Sequence, residues 1–159
     1  MILYHGSNVD IKTIDLSKSR PYKDFGKGFY LSADETQAFR MAEQRTSIEL
    51  FGKPIVNRFY FDELALKDGS LSFLSFDDYS VEWAKFVLKN RDSNAKLPSH
   101  NYDVVYGPIA DDGVTFQLRR YQAGVITIGQ LVEELKYSKG ITFQYFFGTE
   151  LAISKLKKL

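Results

Sequence analysis

Residues 142–147 read Thr-Phe-Gln-Tyr-Phe-Phe, a strongly aromatic run with the composition of a β-strand. Two helical patterns precede it in direct succession. Over 112–121, Val114, Leu118 and Tyr121 share one face, Asp112 stands where a cap is expected, and Gly124 ends the pattern. Over 127–137, a helix begins at Thr127 and turns Leu131, Val132 and Leu135 inward. Helix, helix and then strand is not the alternation of a doubly wound parallel sheet. The other strand patterns are short: 2–7, 28–32, 55–61 and 103–106, the last closed by Gly107-Pro108. Ser32 or Asp34 can cap a helix whose Ala38, Met41, Ala42 and Arg45 share a face, before Gly52-Lys53-Pro54 stops it. Over 80–91, Val81, Ala84 and Leu88 form a stripe that Trp83, Phe86 and Val87 widen. Residues 17–27, 62–79 and 92–101 read as loops. A turn or short helix starts at Thr149, and Lys155-Leu-Lys-Lys-Leu159 reads as a solvated terminal face. Short strands with segregated helices predict an α+β fold, and without a Pro-, Gly- or Ser-rich linker residues 1–159 form one domain.

Composition removes several kinds of chemistry. The 159 residues include no cysteine, so disulfides, thiolate metal sites and a cysteine nucleophile are excluded. Two histidines, His5 and His100, show no spacing to carboxylates that predicts a metal site. Lys+Arg is 21 against 20 Asp+Glu, so a basic surface for nucleic acid has to be local. No apolar run approaches the roughly 20 residues of a membrane span. The N-terminal residues lack the pattern of a cleaved leader, and the expected compartment is the cytoplasm.

Three features can carry chemistry. His5-Gly6-Ser7 ends the first strand, and a glycine there permits close approach of a ligand; a half-buried histidine beside a turn is the plain alternative. Phe25-Gly-Lys-Gly-Phe-Tyr30 places two glycines where backbone amides can meet an anion, or where a chain simply bends into a strand with Tyr30 in the core. Gln144 shares a strand face with Thr142 and Phe146; it is either a core amide bonded to backbone or an amide aimed into a pocket. The loop bearing Lys18, Arg20, Lys23 and Lys27 with Tyr22 fits phosphates. Asp77-Asp78 and Asp111-Asp112 read first as capping or turn residues, the latter pair keeping a lesser claim to line a site.

In this order, Tyr4-His-Gly-Ser7, Gly26-Lys-Gly-Phe-Tyr-Leu-Ser32 and Gln144 on a late strand resemble the ADP-ribosyltransferase superfamily. The branch is the His-Tyr-Glu one of diphtheria toxin and the poly(ADP-ribose) polymerases. The chain is more closely similar to a bacterial domain-of-unknown-function family within it, through residues 19–30, Asp103-Val-Val-Tyr-Gly-Pro-Ile-Ala-Asp-Asp112 and Phe147-Gly-Thr-Glu150. The resemblance implies a split, two-sheet antiparallel core flanked by helices, with NAD as co-substrate in the cleft and no metal. It implies that His5 bonds the adenosine ribose, Gly6 holds the nicotinamide carboxamide, and Tyr30 stacks on the nicotinamide. It also implies NAD contacts from Ser7, Arg20 and Gly28. Gln144 falls at the position of the branch's catalytic glutamate, so the implied catalytic set is Gln144, Tyr30 and His5. The polymerases carry a serine and a second stacking tyrosine where this chain has Ala38 and Met41, which leaves Phe39 as the aromatic for that role.

The implied activity is mono-ADP-ribosyl transfer, a glycosyl transfer from NAD to a macromolecule, with nucleic acid ahead of protein as acceptor. An NAD glycohydrolase and a silent NAD or ADP-ribose binding module are the alternatives. The resemblance further implies a bacterial toxin, toxin–antitoxin or phage-defence effector with a small neutralising, antitoxin-like protein partner and no membrane association. If stacking is the task of Tyr30, Tyr30→Phe keeps most activity because the ring remains; if phenylalanine is as damaging as alanine, the hydroxyl matters too.

Overall fold

The computed structural model describes residues 1–96, 98–137 and 140–159; position 97 of the expected 92–101 loop lies outside the described residues. The element order is β1 (Ile2–Ser7), β2 (Phe29–Leu31), α1 (Glu35–Glu49), β3 (Ile55–Phe61), β4 (Phe73–Ser75), α2 (Val81–Arg91), β5 (Val104–Pro108), α3 (Asp112–Gln122), α4 (Ile128–Lys136), β6 (Phe143–Phe147), α5 (Glu150–Ser154) and β7 (Leu156–Lys158). The fold is α+β. One sheet runs β1-β3-β7 and the other β2-β6-β5-β4.

The helices start where side chains satisfy otherwise unpaired N–H groups. Asp34 accepts from Thr36 and Gln37, Ser80 from Trp83, and Thr127 forms a reciprocal box with Gln130. Before α3 the cap is Asp111, which accepts from Val114 N at 2.9 Å, one residue ahead of the expected Asp112. Ser32 does not cap α1; its Oγ accepts from Asp34 N and donates to Gln37 Oε1.

Strand alternation sorts the core into two layers. Phe29, Leu31, Val104 and Phe147 join Leu3, Phe59 and Phe61 in one cluster, between the two sheets. Their sequence neighbours Tyr30, Val105 and Phe146 join Trp83, Leu118, Leu131 and Leu135 in the other, beneath α2, α3 and α4. Trp83 is fully buried, and its indole N–H donates to Pro108 O at 2.7 Å.

Three expectations change. The 62–79 loop contains a 3₁₀ turn at Glu63–Leu66 and the strand β4. β4 pairs with β5 in parallel, so the sheets are mostly, not wholly, antiparallel. Residues read as a solvated terminal face include β7, which pairs with β3 from Phe59↔Lys158 to Phe61↔Leu156. Both strands have three residues, too few for an alternation pattern to register. Among the described residues no helix is long and apolar enough to cross a membrane.

Candidate functional site

The two sheets touch at one rung and then part. Tyr4 N donates to Ser32 O and Ser32 N to Tyr4 O, both at 2.8 Å. A continued antiparallel ladder would next pair Gly6 with Tyr30. The His5 side chain interrupts it: Nδ1 lies 2.7 Å from the Tyr30 carbonyl that Gly6 N–H would have taken. A carbonyl only accepts, so Nδ1 carries the proton, and Nε2 of the neutral ring is a free acceptor. The ring stacks on Phe29 with centroids 4.3 Å apart. Burial holds the His5 pKa down at about 4, against the favourable Tyr30 bond, with Lys23, Arg45 and Lys158 adding smaller repulsions.

The interruption has a second effect. Tyr4 bonds toward Ser32, so His5, opposite Asn57, is the residue that bonds toward β3. Alternation then leaves the Gly6 N–H and C=O on the open edge of β1. Glycine is obligatory here. An added Cβ would lie 1.9 Å from Ala38 O and 2.6 Å from Ala42 N, because buried Ala38 and Ala42 bring α1 against the strand.

Beyond the rung a cleft of about 450 Å³ opens. It is lined by His5, Gly6, Ser7, Arg20, Gly28, Tyr30 and Gln144 from the expected set. The structure does not bring Phe39 there. Ala38, Met41 and Arg45 turn to the cleft while Phe39, one step round the helix, is 44% exposed outside it. Ser7 Oγ accepts from Val9 N at 3.3 Å, leaving its proton to donate. At Gly28 a Cβ would sit 2.2 Å from the Phe146 ring, so glycine lets the chain press onto β6.

Tyr30 is more constrained than a stacking platform. Its hydroxyl donates to Gly26 O at 2.7 Å and accepts from Phe25 N at 3.0 Å, closing the 25–30 turn. Burial raises its pKa well above the ordinary phenol value. The ring meets Phe25 at 6.2 Å and the edge of Phe146 at 5.4 Å, and the Lys23 ammonium stands over it at 4.5 Å. The hydroxyl therefore has a structural task in this turn, whatever the ring does in the cleft.

Gln144 lies opposite Gly107 on β6 and is partly buried at the cleft wall. Among the described residues its amide has no hydrogen-bond partner, unlike a core amide satisfied by backbone. Asp111 serves as a cap, Asp78 accepts from Tyr79 N at 2.7 Å, and neither acidic pair lines the cleft.

The cleft charge is positive: Lys12, Lys18, Arg20, Lys23 and Arg45 against Asp10 and Asp15. Asp10 pairs with Lys158 at 2.8 Å and Asp15 faces Lys18 at 3.9 Å. Arg20 and Arg45 meet Glu49 at 3.3 and 3.2 Å, which holds the basic loop against α1. Lys27 lines a separate cavity of about 360 Å³ beside His100, Asn90 and Tyr102. There both His100 nitrogens are engaged, with Phe25 O and Tyr102 N, and Asn90 is bonded to Phe86 O and Ser99. Among the described residues no cluster of His, Asp and Glu could hold a metal.

Sequence reasoning missed the 8–15 wall and Arg45. Asn57, 1% exposed, accepts from Ile11 N at 2.7 Å and donates to Val9 O at 3.1 Å; Lys158 Nζ bonds Asn57 Oδ1 at 2.6 Å and Asp10. A buried asparagine in a strand was the available signal.

No curated protein and no solved structure matches the chain. A family model does match, over residues 1–158, and the chain belongs to that family, DUF3990, described as a protein of unknown function.

Proposed function

We propose that this protein is a mono-ADP-ribosyltransferase of the bacterial toxin or defence type, using NAD as co-substrate and transferring ADP-ribose to a macromolecule. The observation that carries the reading is the interrupted β1–β2 ladder. It leaves a backbone donor and acceptor at Gly6 and an imidazole acceptor at His5 Nε2 facing one cleft, together with the Tyr30 ring and the Gln144 amide. A carboxamide needs a donor and an acceptor side by side, as an open strand edge offers. A ribose hydroxyl needs an acceptor such as neutral His5 Nε2. A diphosphate needs cations, and Arg20 and Arg45 line the wall.

Cleavage of the nicotinamide–ribose bond sends the electron pair out with nicotinamide, which leaves neutral and needs no general acid. The ribose is left with oxocarbenium character. A carboxylate about 4 Å away at an effective dielectric of about 20 would stabilise it by on the order of 4 kcal/mol, roughly a thousandfold in rate. Gln144 can orient ribose hydroxyls but supplies no such charge, and Asp10 and Asp15 are engaged by lysines. The acceptor is then one that needs little general-base help, a nucleobase amine ahead of a protein carboxylate. The same neutrality favours, as second reading, a silent NAD or ADP-ribose binding module; hydrolysis of NAD is the third.

The test is incubation with adenylate-labelled NAD and cell lysate. Label removed by nuclease identifies a nucleic-acid acceptor, and label removed by protease a protein. Free ADP-ribose alone means a glycohydrolase, binding without turnover means the silent module, and absence of NAD binding refutes the reading.

A further inference from the structure

Lys23 is a cleft cation to which that scheme gives no task. Its Nζ stands 4.5 Å over the Tyr30 ring, in the cleft shared by Gly6 and Gln144. Among the described residues no carboxylate pairs with it. The adjacent Asp24 is turned away, accepting from Ala110 N at 2.7 Å and facing Arg91 at 3.4 Å. The backbone is anchored, since Lys23 O accepts from Gly26 N at 3.0 Å, while the side chain is exposed and its ammonium rests on the Tyr30 face.

A flat ring seated on Tyr30 takes the volume that the ammonium occupies, because stacked rings and this cation lie at the same height over the face. Nζ is then pushed to the margin of that ring. The bond that joins the ring to ribose crosses the same margin, and near-attack contact needs only about 3–3.5 Å. Desolvation in the cleft, followed by repulsion from Arg45 and Arg20, lowers the Lys23 pKa against the pull of Asp24 and enlarges the amine fraction. An amine brings its own lone pair, so the neutral Gln144 is no obstacle.

We propose that Lys23 is a covalent acceptor, and that the protein ADP-ribosylates itself there from NAD. The inference rests on the NAD reading above. The ammonium first loses a proton to solvent. The C1″–N bond of NAD breaks with its electron pair on neutral nicotinamide, and the Nζ pair forms C1″–Nζ, giving a secondary ammonium. Tethered ADP-ribose fills the cleft, so the reaction silences the molecule that undergoes it.

The experiment uses the purified full chain and adenylate-labelled NAD with no other macromolecule, following nicotinamide release and mapping label by peptide mass spectrometry. Free ADP-ribose is run in parallel. The expected result is label on Lys23 that tracks nicotinamide release and is absent with free ADP-ribose. In K23R, label per nicotinamide released falls at least about tenfold, because the guanidinium has no appreciable neutral fraction. Nicotinamide release with label elsewhere or nowhere overturns the Lys23 assignment and leaves the NAD reading standing. Equal Lys23 labelling by free ADP-ribose shows chemical glycation and also overturns it. No nicotinamide release overturns both. The mapping on the unaltered protein decides the matter even if K23R fails to fold.

Discussion

Replacing Tyr30 with phenylalanine keeps the ring and removes one oxygen, yet the structure predicts a substantial loss of stability. That oxygen donates to Gly26 O at 2.7 Å and accepts from Phe25 N at 3.0 Å. Phe25 is fully buried and Tyr30 is 8% exposed. A stranded buried backbone group costs about 1–3 kcal/mol. Gly26 borders the second cavity and Phe25 borders neither cavity described, so the buried Phe25 amide is the group counted as left unmet. The expected cost is about 2 kcal/mol, which in a chain of this size lowers Tm by roughly 4–8 °C. The turn also carries Lys23 and Gly28 to the cleft, so NAD affinity should weaken although the stacking surface is intact. Thermal denaturation beside an NAD titration reads both effects. A Tyr30→Phe protein that melts with the unaltered chain would refute the assignment of the hydroxyl as the closure of this turn.

Gly6→Ala should fail to fold or melt far lower, because the new Cβ meets main-chain atoms of Ala38 and Ala42; overpacking of that kind costs about 1–3 kcal/mol or more, and an unchanged Tm would contradict the close approach. His5→Asn preserves the donor to Tyr30 O but deletes Nε2, so it should fold and lose NAD affinity; retained affinity removes His5 from the site. The His5 pKa is about 4 folded and near 6.5 unfolded, so its neutral form stabilises the fold above 6.5, and that contribution, up to about 3 kcal/mol, drains away as pH falls from 6.5 to 4. The unaltered protein should lose stability across that window faster than His5→Asn, and parallel curves would show that His5 does not titrate this way. Gln144→Ala should change stability by no more than about 0.5 kcal/mol, since the amide has no partner to strand, while NAD turnover collapses. Gln144→Glu should raise NAD cleavage into water by a measurable part of the thousandfold estimate. An alanine variant that melts early but turns over NAD normally per folded molecule defeats the site reading.

Signals that act within a few residues were legible without the fold. Asp34, Ser80 and Thr127 each meet a backbone N–H two or three positions on, so the helix starts are written locally. The alternation of Phe146 and Phe147, or Val104 and Val105, assigns opposite faces whatever those faces meet. The gathering of His5, Gly6, Tyr30 and Gln144 was legible only through the order of their motifs. Partners distant along the chain decided the rest. The side of α1 that meets β1 put Ala38, Met41 and Arg45 at the cleft and Phe39 outside it. Asn57 and Lys158 pin the 9–11 wall from 46 and 148 residues away. β7 exists because β3 offers it an open edge, and Lys157 and Lys158 carry no apolar pattern to announce it. The wedge of His5 into the ladder depends on where the Tyr30 carbonyl stands, a position set by the packing of β2 on β6 rather than by any residue near His5.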